Sequence, residues 1–312
     1  MKLIVSSSPH ITGKDTTSAI MGKVAVALMP ALVAAVLVFG FRALMLTAVT
    51  VASCVCFEYV YEKRLGLPVT VGDLSAVVTG LLLAFNMPST LPIPMAIVGS
   101  AVAIIVVKQL FGGIGFNFAN PAIVGRIVLG LSWTGAMTNW VFPKPFSGDL
   151  VATATPLAAY ANGRGTAPAY IDMFIGTTGG VLGETSALAL LIGFVFLVAT
   201  KVISPVIPLT YVGTVAVLAF LVGVDPVVYI LGGGLLLGAI FMATDYVTSP
   251  YTVKGKLIFG VCLGIITVII RRWGNMAEGV SYAILLMNLV VPYINRATRQ
   301  RPLGAAKKAK EA

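Results

Sequence analysis

The sequence predicts an all-α polytopic membrane protein. Of its 312 residues, 58% are hydrophobic and only 10% are charged, whereas soluble domains carry about 25% charged residues. The mean hydropathy is +0.99, and the 33 glycines fit a protein whose membrane helices pack closely. We therefore expect about ten transmembrane helices arranged as a 5+5 inverted repeat, with one long external loop.

Five parts are predicted along the chain. They are an N-terminal segment (1–22), a first membrane repeat with helices one to five (23–135), a polar loop (136–185), a second membrane repeat with helices six to ten (186–295) and a basic tail (296–312). The expected spans are Val24–Gly40, Ala43–Val60, Leu74–Phe85, Met95–Leu110, Ala122–Trp133, Ala187–Ile203, Leu209–Val222, Val227–Ala243, Leu257–Ile270 and Val280–Val291. Crossing the bilayer takes about 20 helical residues. The third, fifth, eighth and ninth spans are short, so half-helices or tilted helices are expected among them.

A weak internal repeat supports the two-part organisation. Gly-Leu-Leu-Leu begins at Gly80 and again at Gly234, which is 154 residues later, and a polar break follows each copy (86–90 and 244–250). Five spans separate the copies, so they have opposite orientations. Paired interrupted spans of this kind indicate a site near the middle of the membrane. Coincidence is an equal alternative, because Gly-Leu-Leu-Leu is common in membrane helices.

Basic residues indicate the orientation. With ten spans, fifteen lysines and arginines fall on the side that carries both termini, and five fall on the other side. Cytoplasmic loops carry the excess of basic residues, so both termini are expected in the cytoplasm and the 136–185 loop on the outer face. The net charge of +10 then reflects orientation and contact with the lipid membrane, not binding of nucleic acid. Arg271 and Arg272 are the main exception, as they would lie on the outer side.

The polar loop contains Thr153-Ala154-Thr155-Pro156. Two hydroxyls separated by a small alanine and followed by a rigid proline predict an exposed, sterically open attachment or binding site. Taken alone, such a segment is more often an ordinary loop.

Charged residues within or beside the spans are functional candidates, because charges in a bilayer are costly. Arg126 can contact a cofactor phosphate or a carboxylate, or extend to the interface. Asp245 offers oxygen ligands for Na⁺ or a proton relay, together with its neighbours Thr244, Thr248 and Ser249, although an acid at a helix end is more often structural. For Glu58 a solvated helix end is the simpler interpretation, and for Asp73 a helix cap.

Several kinds of chemistry find no support in the sequence. The three cysteines, Cys54, Cys56 and Cys262, lie in apolar runs without a CxxC pattern, so no zinc or iron–sulfur site is predicted. The only histidine is His10, and the glycine-rich turn at 112–115 lacks the strand that a dinucleotide fingerprint requires. Redox chemistry would therefore depend on a bound cofactor.

Several motifs occur together in a fixed order. They are Ser8-Pro9-His10, Lys108-Gln109-Leu110-Phe111-Gly112-Gly113-Ile114-Gly115, Asn120-Pro121-Ala122, Thr153-Ala154-Thr155-Pro156-Leu157, Met242-Ala243-Thr244-Asp245-Tyr246-Val247-Thr248-Ser249-Pro250 and Glu278-Gly279-Val280-Ser281-Tyr282-Ala283-Ile284-Leu285-Leu286-Met287-Asn288. Across essentially its whole length the chain resembles the family of D subunits of the Rnf complex, a membrane-bound ferredoxin:NAD⁺ oxidoreductase. It is also similar, more distantly, to the B subunit of the Na⁺-translocating NADH:quinone reductase.

This resemblance implies a covalent flavin. In the family, FMN is joined through its phosphate to a threonine, and the corresponding residue here is Thr155. Thr153 and Ala154 would then lie beside the cofactor, and we assign Arg126 and Asn120 as further cofactor-binding candidates. A second, non-covalent flavin such as riboflavin is suggested by the quinone-reductase relative.

The implied activity is that of an electron-carrying subunit, not catalytic alone, in a complex that couples electron transfer between ferredoxin and NAD⁺ to translocation of Na⁺ or H⁺. The implied partners are the A, B, C, E and G subunits of the Rnf complex, and the implied location is the bacterial plasma (inner) membrane. Two alternatives stay open: a small-solute channel or transporter of the inverted-repeat type, and a structural assembly subunit. Neither alternative requires a flavin.

Overall fold

Helices form nearly all the regular structure in the computed structural model, which describes residues 16–141, 155, 157, 169–274 and 279–300. We number them α1 (Thr17–Phe39), α2 (Phe41–Arg64), α3 (Ser75–Phe85), α4 (Ile93–Gln109), α5 (Pro121–Ser132), α6 (Thr134–Met137), α7 (Tyr170–Ile175), α8 (Ala187–Ala199), α9 (Val206–Leu221), α10 (Pro226–Leu231), α11 (Leu235–Leu237, continued by the π turn Gly238–Met242), α12 (Val253–Trp273) and α13 (Val280–Ala297).

Among the described residues, four helices are long and apolar enough to cross a membrane, namely α1, α2, α12 and α13. Five shorter apolar helices, α3, α4, α5, α8 and α9, lie between them along the chain. The all-helical class and the polytopic membrane character are therefore confirmed. The count of ten spans and the 5+5 inverted repeat stay predictions.

Helix starts follow the local sequence. The side chain of Asn120 accepts a hydrogen bond from the backbone of Ala122 at the start of α5, and Asp225 accepts one from Val227 at the start of α10. In both helices the next residue is a proline at the first helical position. A capping oxygen followed by proline satisfies the free amides of the first turn, so both helices begin where the sequence indicates.

The eighth predicted span is not continuous. It consists of α10 and α11, separated at Gly232–Gly234. Gly233 and Gly234 have φ angles of +67° and +68°, a left-handed conformation that favours glycine. The three glycines thus end one helix and start the next, and they leave backbone carbonyls without helical partners.

Two helix pairs approach closely because one member carries glycine at the crossing. A Cβ on Gly193 of α8 would lie 2.4 Å from the carbonyl oxygen of Ala27 on α1, and a Cβ on Gly80 of α3 would lie 2.7 Å from Cα of Val51 on α2. Small residues let membrane helices pack backbone to backbone. These contacts fix α3 and α8, which flank the polar segments described next.

The ends of α3 and α11 meet inside the protein. Asn86, directly after α3, donates a hydrogen bond from Nδ2 to Sδ of Met242 at 3.7 Å, and Met242 is the last residue of α11. Asn120 donates to the carbonyl oxygen of Met242 at 3.4 Å. The two polar breaks, 86–90 and 244–250, therefore begin beside each other, with a buried charged region on either side of their contact.

Candidate functional site

Arg271 binds the glycine break between α10 and α11. Its Nη1 donates to the carbonyl oxygen of Tyr229 at 2.5 Å, and its Nη2 donates to those of Gly232 and Gly233 at 3.1 and 3.0 Å. The side chain is 5% exposed. The guanidinium thus satisfies the carbonyls that the break leaves free, which explains a buried arginine at the end of α12.

Glu184 lies near two arginines, of which Arg271 is buried and Arg126 is half-buried. Its charge interacts with those of Arg126 and Arg271, and a Cβ on Gly234 would lie 3.0 Å from its Oε2. Burial raises the pKa of the Glu184 carboxyl to about 7, although the two arginines and a backbone hydrogen bond act in the opposite direction. We call Arg126, Glu184 and Arg271 the arginine–glutamate site.

Arg126 connects this site to the end of α3. From α5 it donates to the carbonyl oxygen of Asn86 at 3.4 Å and to the hydroxyl of Ser281 on α13 at 2.8 Å. The segment that carries Glu184 reaches the same place, because the amide of Gly183 donates to the carbonyl oxygen of Phe85 at 2.9 Å. Arg126 is therefore held inside the protein, and the alternative in which it extends to the interface is wrong.

Thr155 lies close to the glycine break. Leu157, two residues later, packs against Gly233 of the break, because a Cβ on Gly233 would lie 2.8 Å from Leu157 Cδ2. The same Cβ would lie 2.6 Å from Arg271 Nη2, so Leu157 and Arg271 meet at this glycine. Two residues of chain span at most about 7 Å. Thr155 is thus a neighbour of the surface where Arg271 binds the break. Thr153 and Ala154 lie outside the described residues.

The prediction that Thr155 is exposed and sterically open is wrong, because its side chain is only 2% exposed. The physical reason is the packing of Leu157, which brings this part of the chain against the helices. The end of the predicted polar loop behaves in the same way. Residues 178–186 are all buried, so this stretch is part of the protein interior.

Two polar atoms at this site lack hydrogen-bond partners among the described residues. They are Nε of Arg271 and the hydroxyl oxygen of Thr185, and both are buried. Buried donors without partners are costly. An arginine donor and a hydroxyl suit a phosphate oxygen, so the residues present fit a phosphate-bearing group attached at Thr155.

A separate cavity of about 240 Å³ lies on the other side of the contact between α3 and α11. Asp245, Asn117 and Asn120 line it together with apolar side chains from α1, α3, α8 and α11. Asn120 therefore faces this cavity, whereas Arg126, only six residues later, belongs to the arginine–glutamate site. The structure distributes the predicted site residues between two places.

Asp245 is held by its neighbours. Thr248 donates a hydrogen bond to its carboxylate at 2.9 Å, while Thr244 donates to the carbonyl oxygen of Ile240. Burial raises the pKa of Asp245, and the hydrogen bonds from Thr248 and Asn117 oppose this shift. No group of three or more His, Cys, Asp or Glu side chains suited to a metal ion occurs among the described residues.

Three other charged residues, Glu58, Asp73 and Lys108, lie on the cytoplasmic half of the predicted topology. The solvated helix end predicted for Glu58 is wrong, because this residue is fully buried and forms an ion pair with Lys108 at 2.5 Å. Asp73 is not the N-cap of α3, because Leu74 occupies that position without a side-chain cap hydrogen bond. The Oδ1 of Asp73 nevertheless accepts a hydrogen bond from the backbone amide of Ser75, the first residue of α3, at 2.7 Å. Lys108 is one of the fifteen basic residues predicted on the cytoplasmic side, and it is buried, with only 3% of its surface exposed.

Glu184 was missed by the sequence analysis. It falls in the stretch expected to be an external loop, where an acid attracts no attention. One signal was available: Gly179-Gly180 and Gly183 surround it with small residues, and such glycines permit close packing. A Cβ on Gly183 would lie 2.3 Å from Cβ of Phe85.

The fold and the site define an integral membrane protein with interrupted helices around buried charges. The chain matches the sequence model of the NQR2, RnfD, RnfE family over residues 4–304. It is 50% identical, over 100% of its own length and 98% of the relative's, to the D subunit of the Na⁺-translocating ferredoxin:NAD⁺ oxidoreductase complex of Acetobacterium woodii. The chain belongs to the NQR2, RnfD, RnfE family.

The names of two further relatives give, respectively, the proton and no particular ion. The D subunit of the proton-translocating ferredoxin:NAD⁺ oxidoreductase complex of Clostridium ljungdahlii is 41% identical over 96% of each chain. The D subunit of the ion-translocating oxidoreductase complex of Stutzerimonas stutzeri is 37% identical over 93% of each chain. All three relatives are thus named as D subunits of oxidoreductase complexes that translocate ions. Membership of this family disfavours a solute channel.

Proposed function

We propose that this chain carries FMN on Thr155, as a phosphoester, and passes electrons within a complex that couples ferredoxin:NAD⁺ electron transfer to ion translocation. The flavin would supply reversible electron uptake and release. The main support is the position of Thr155 near the glycine break, where Nε of Arg271 has no hydrogen-bond partner in the described part of the chain.

The charges of the site support an anionic group. The arginine–glutamate site contains two guanidinium groups and one carboxylate, so it has one excess positive charge when Glu184 is ionised. A phosphodiester between threonine and a flavin carries one negative charge. Buried charges are tolerated when they are paired, and such a group would bring the balance to zero. Arg271 and Arg126 would then hold and orient the phosphate.

The chain would depend on other subunits for the remaining redox steps. Its three cysteines do not form an iron–sulfur pattern, and no dinucleotide fingerprint is present in the sequence. We therefore propose the A, B, C, E and G subunits of the same complex as partners. The proposed location is the bacterial plasma membrane, with both termini cytoplasmic and Thr155 on the outer face.

The cavity that contains Asp245 supports two finer proposals. Its apolar lining and about 240 Å³ volume make it our candidate location for part of a non-covalent riboflavin. Asp245 is our candidate ion-pathway residue, because it is the acid that lines this cavity among the described residues.

In-gel flavin fluorescence tests the covalent cofactor. The whole complex is produced in a host that has the flavin-attaching enzyme, and the subunits are separated under denaturing conditions. We expect a fluorescent band for this chain that disappears in Thr155→Ala and persists in Thr155→Ser, which keeps a hydroxyl. Thr177→Ala, at an exposed threonine, is the matched control and should stay fluorescent. A dark wild-type band, or a fluorescent Thr155→Ala band, would refute the proposal.

A further inference from the structure

Two glutamates of α2 are buried one helical turn apart. Glu58 is 0% exposed and Glu62 is 3% exposed. Both accept hydrogen bonds from the side-chain amide of Gln109, at 2.9 Å for Glu58 and 3.3 Å for Glu62. A shared donor brings the two carboxylates close together in a region that excludes water.

The two carboxylates differ in how well they are satisfied. Glu62 also accepts from the backbone amide of Thr70 at 2.9 Å and from the Thr70 hydroxyl, so both of its oxygens have partners. Glu58 accepts from Lys108 Nζ at 2.5 Å, but only through Oε1. Its Oε2 is buried and has no hydrogen-bond partner within the described part of the chain.

The charges around Glu58 do not balance. On the packed elements, the titratable neighbours of Glu58 are Lys108 from α4, Glu62 and Cys54 from α2, and Asp73 from the turn before α3. One ammonium thus faces three carboxylates, and two of these are fully inside the protein. A buried negative charge in excess is costly, and one bound cation would reduce that cost.

The geometry favours a proton over a metal ion. Hard metal ions collect several oxygen ligands, whereas two nitrogen donors, from Lys108 and Gln109, already occupy Glu58 Oε1. These two residues are consecutive, and they end the π-helical segment Val102–Gln109. In an ordinary α-helix, neighbouring side chains diverge, and π segments are frequent at functional sites.

We propose that Glu58 is a proton-binding site of this chain. The carboxylate takes one proton from water and becomes a neutral carboxylic acid, and no other bond changes. Lys108 and Ser75 connect it to the cavity that contains Asp245, because Lys108 donates to the Ser75 hydroxyl at 2.5 Å and both residues line that cavity. The site does not depend on the flavin proposal.

Carbodiimide labelling of the wild-type complex tests this site. Dicyclohexylcarbodiimide reacts with protonated carboxyl groups in apolar surroundings, and mass spectrometry of peptides identifies the modified residue. We expect labelling of Glu58 that falls about tenfold for each pH unit above its pKa, with much weaker labelling of Glu62. No label on Glu58 at any pH, or equal labelling of both glutamates, would overturn the proposal.

Two further measurements strengthen the test. Adding NaCl at constant pH, with choline chloride as the control, should leave the labelling unchanged. Protection by Na⁺ alone would assign the site to sodium and overturn the proton assignment. Infrared titration of the assembled complex should show a protonated-carboxyl band to which Glu184 and Asp245 also contribute, because burial raises the pKa of both. The difference spectrum between the wild type and Glu58→Gln should contain one protonated-carboxyl component that the difference spectrum for Glu62→Gln lacks. Identical bands in the wild type and Glu58→Gln would contradict the proposal without requiring any label.

Discussion

Replacing Arg271 by lysine should destabilise the protein, even though the charge is kept. The arginine makes three hydrogen bonds to carbonyls of the glycine break. Hydrogen bonds to charged groups contribute about 1.5–3 kcal/mol each. A lysine ammonium at this position can replace about one of them, so two are lost. The expected destabilisation is about 3–6 kcal/mol by the same values.

Arg272 provides the matched control. It is the next residue on α12, has the same charge and is exposed. We would compare Arg271→Lys and Arg272→Lys with the wild type by thermal unfolding in detergent, followed by fluorescence-detected size exclusion. At about 2–4 °C for each kcal/mol, Arg271→Lys should melt at least about 6 °C lower. If both variants melt together with the wild type, Arg271 does not hold the break in place.

Three further predictions concern stability. Gly193→Ala should destabilise the protein by about 1–3 kcal/mol through overpacking, because the new Cβ would lie 2.4 Å from the carbonyl oxygen of Ala27. Gly213→Ala is the control and should be neutral or stabilising, because a Cβ there would have no atom within 4 Å. Equal melting temperatures for the two variants would contradict this packing. Tyr211→Phe should cost about 1–2 kcal/mol, because it removes a buried 2.6 Å hydrogen bond, and wild-type melting in this variant would refute that contribution. The pKa of Glu184 is raised from 4.5 to about 7, so its contribution to stability is greatest below pH 4.5 and is lost as pH rises to about 7. The free energy of unfolding of the wild type should fall by about 3 kcal/mol over this range, and that of Glu184→Gln should fall less. Equal slopes of stability against pH in the two proteins would exclude the effect.

Helix positions were largely predictable from the sequence. Apolar runs and the polar residues that separate them are local signals in the sequence. Caps such as Asn120-Pro121 and Asp225-Pro226 mark where helices begin. Nine of the ten expected spans overlap one apolar helix each. The exception, at Gly232–Gly234, depends on a left-handed conformation that glycine permits but does not require.

The partners of the buried charges were not predictable in the same way. A hydropathy profile assigns each charged residue an unfavourable free energy of membrane insertion at its own position. The profile contains no information about which distant group pairs with that residue. Glu58 resembled a solvated helix end until its pairing with Lys108, 50 residues later, was known. The roles of Glu184 and Arg271 likewise became evident only from the structure, which places both beside the glycine break.

The candidate attachment residue was predicted by its motif, whereas its burial was not. The sequence around Thr155 is small and polar, which usually indicates exposure. Leu157 reverses that expectation, because one apolar side chain packed on the glycine break brings its neighbours inside. The motif therefore indicated which residue is the candidate attachment site, but it did not indicate that this residue is buried.

The contact between the ends of α3 and α11 has a consequence for how the chain is made. The hydrogen-bond partner of Asn86 is Met242, which lies 156 residues later in the chain. The partner of Arg126 is Ser281, which lies 155 residues later. During synthesis at about 5–20 residues per second, these polar groups wait roughly ten seconds or more for their partners. The first half of the protein must therefore enter the membrane with its polar break provisionally satisfied, by water, lipid headgroups or the insertion machinery. The second half completes the interior of the first.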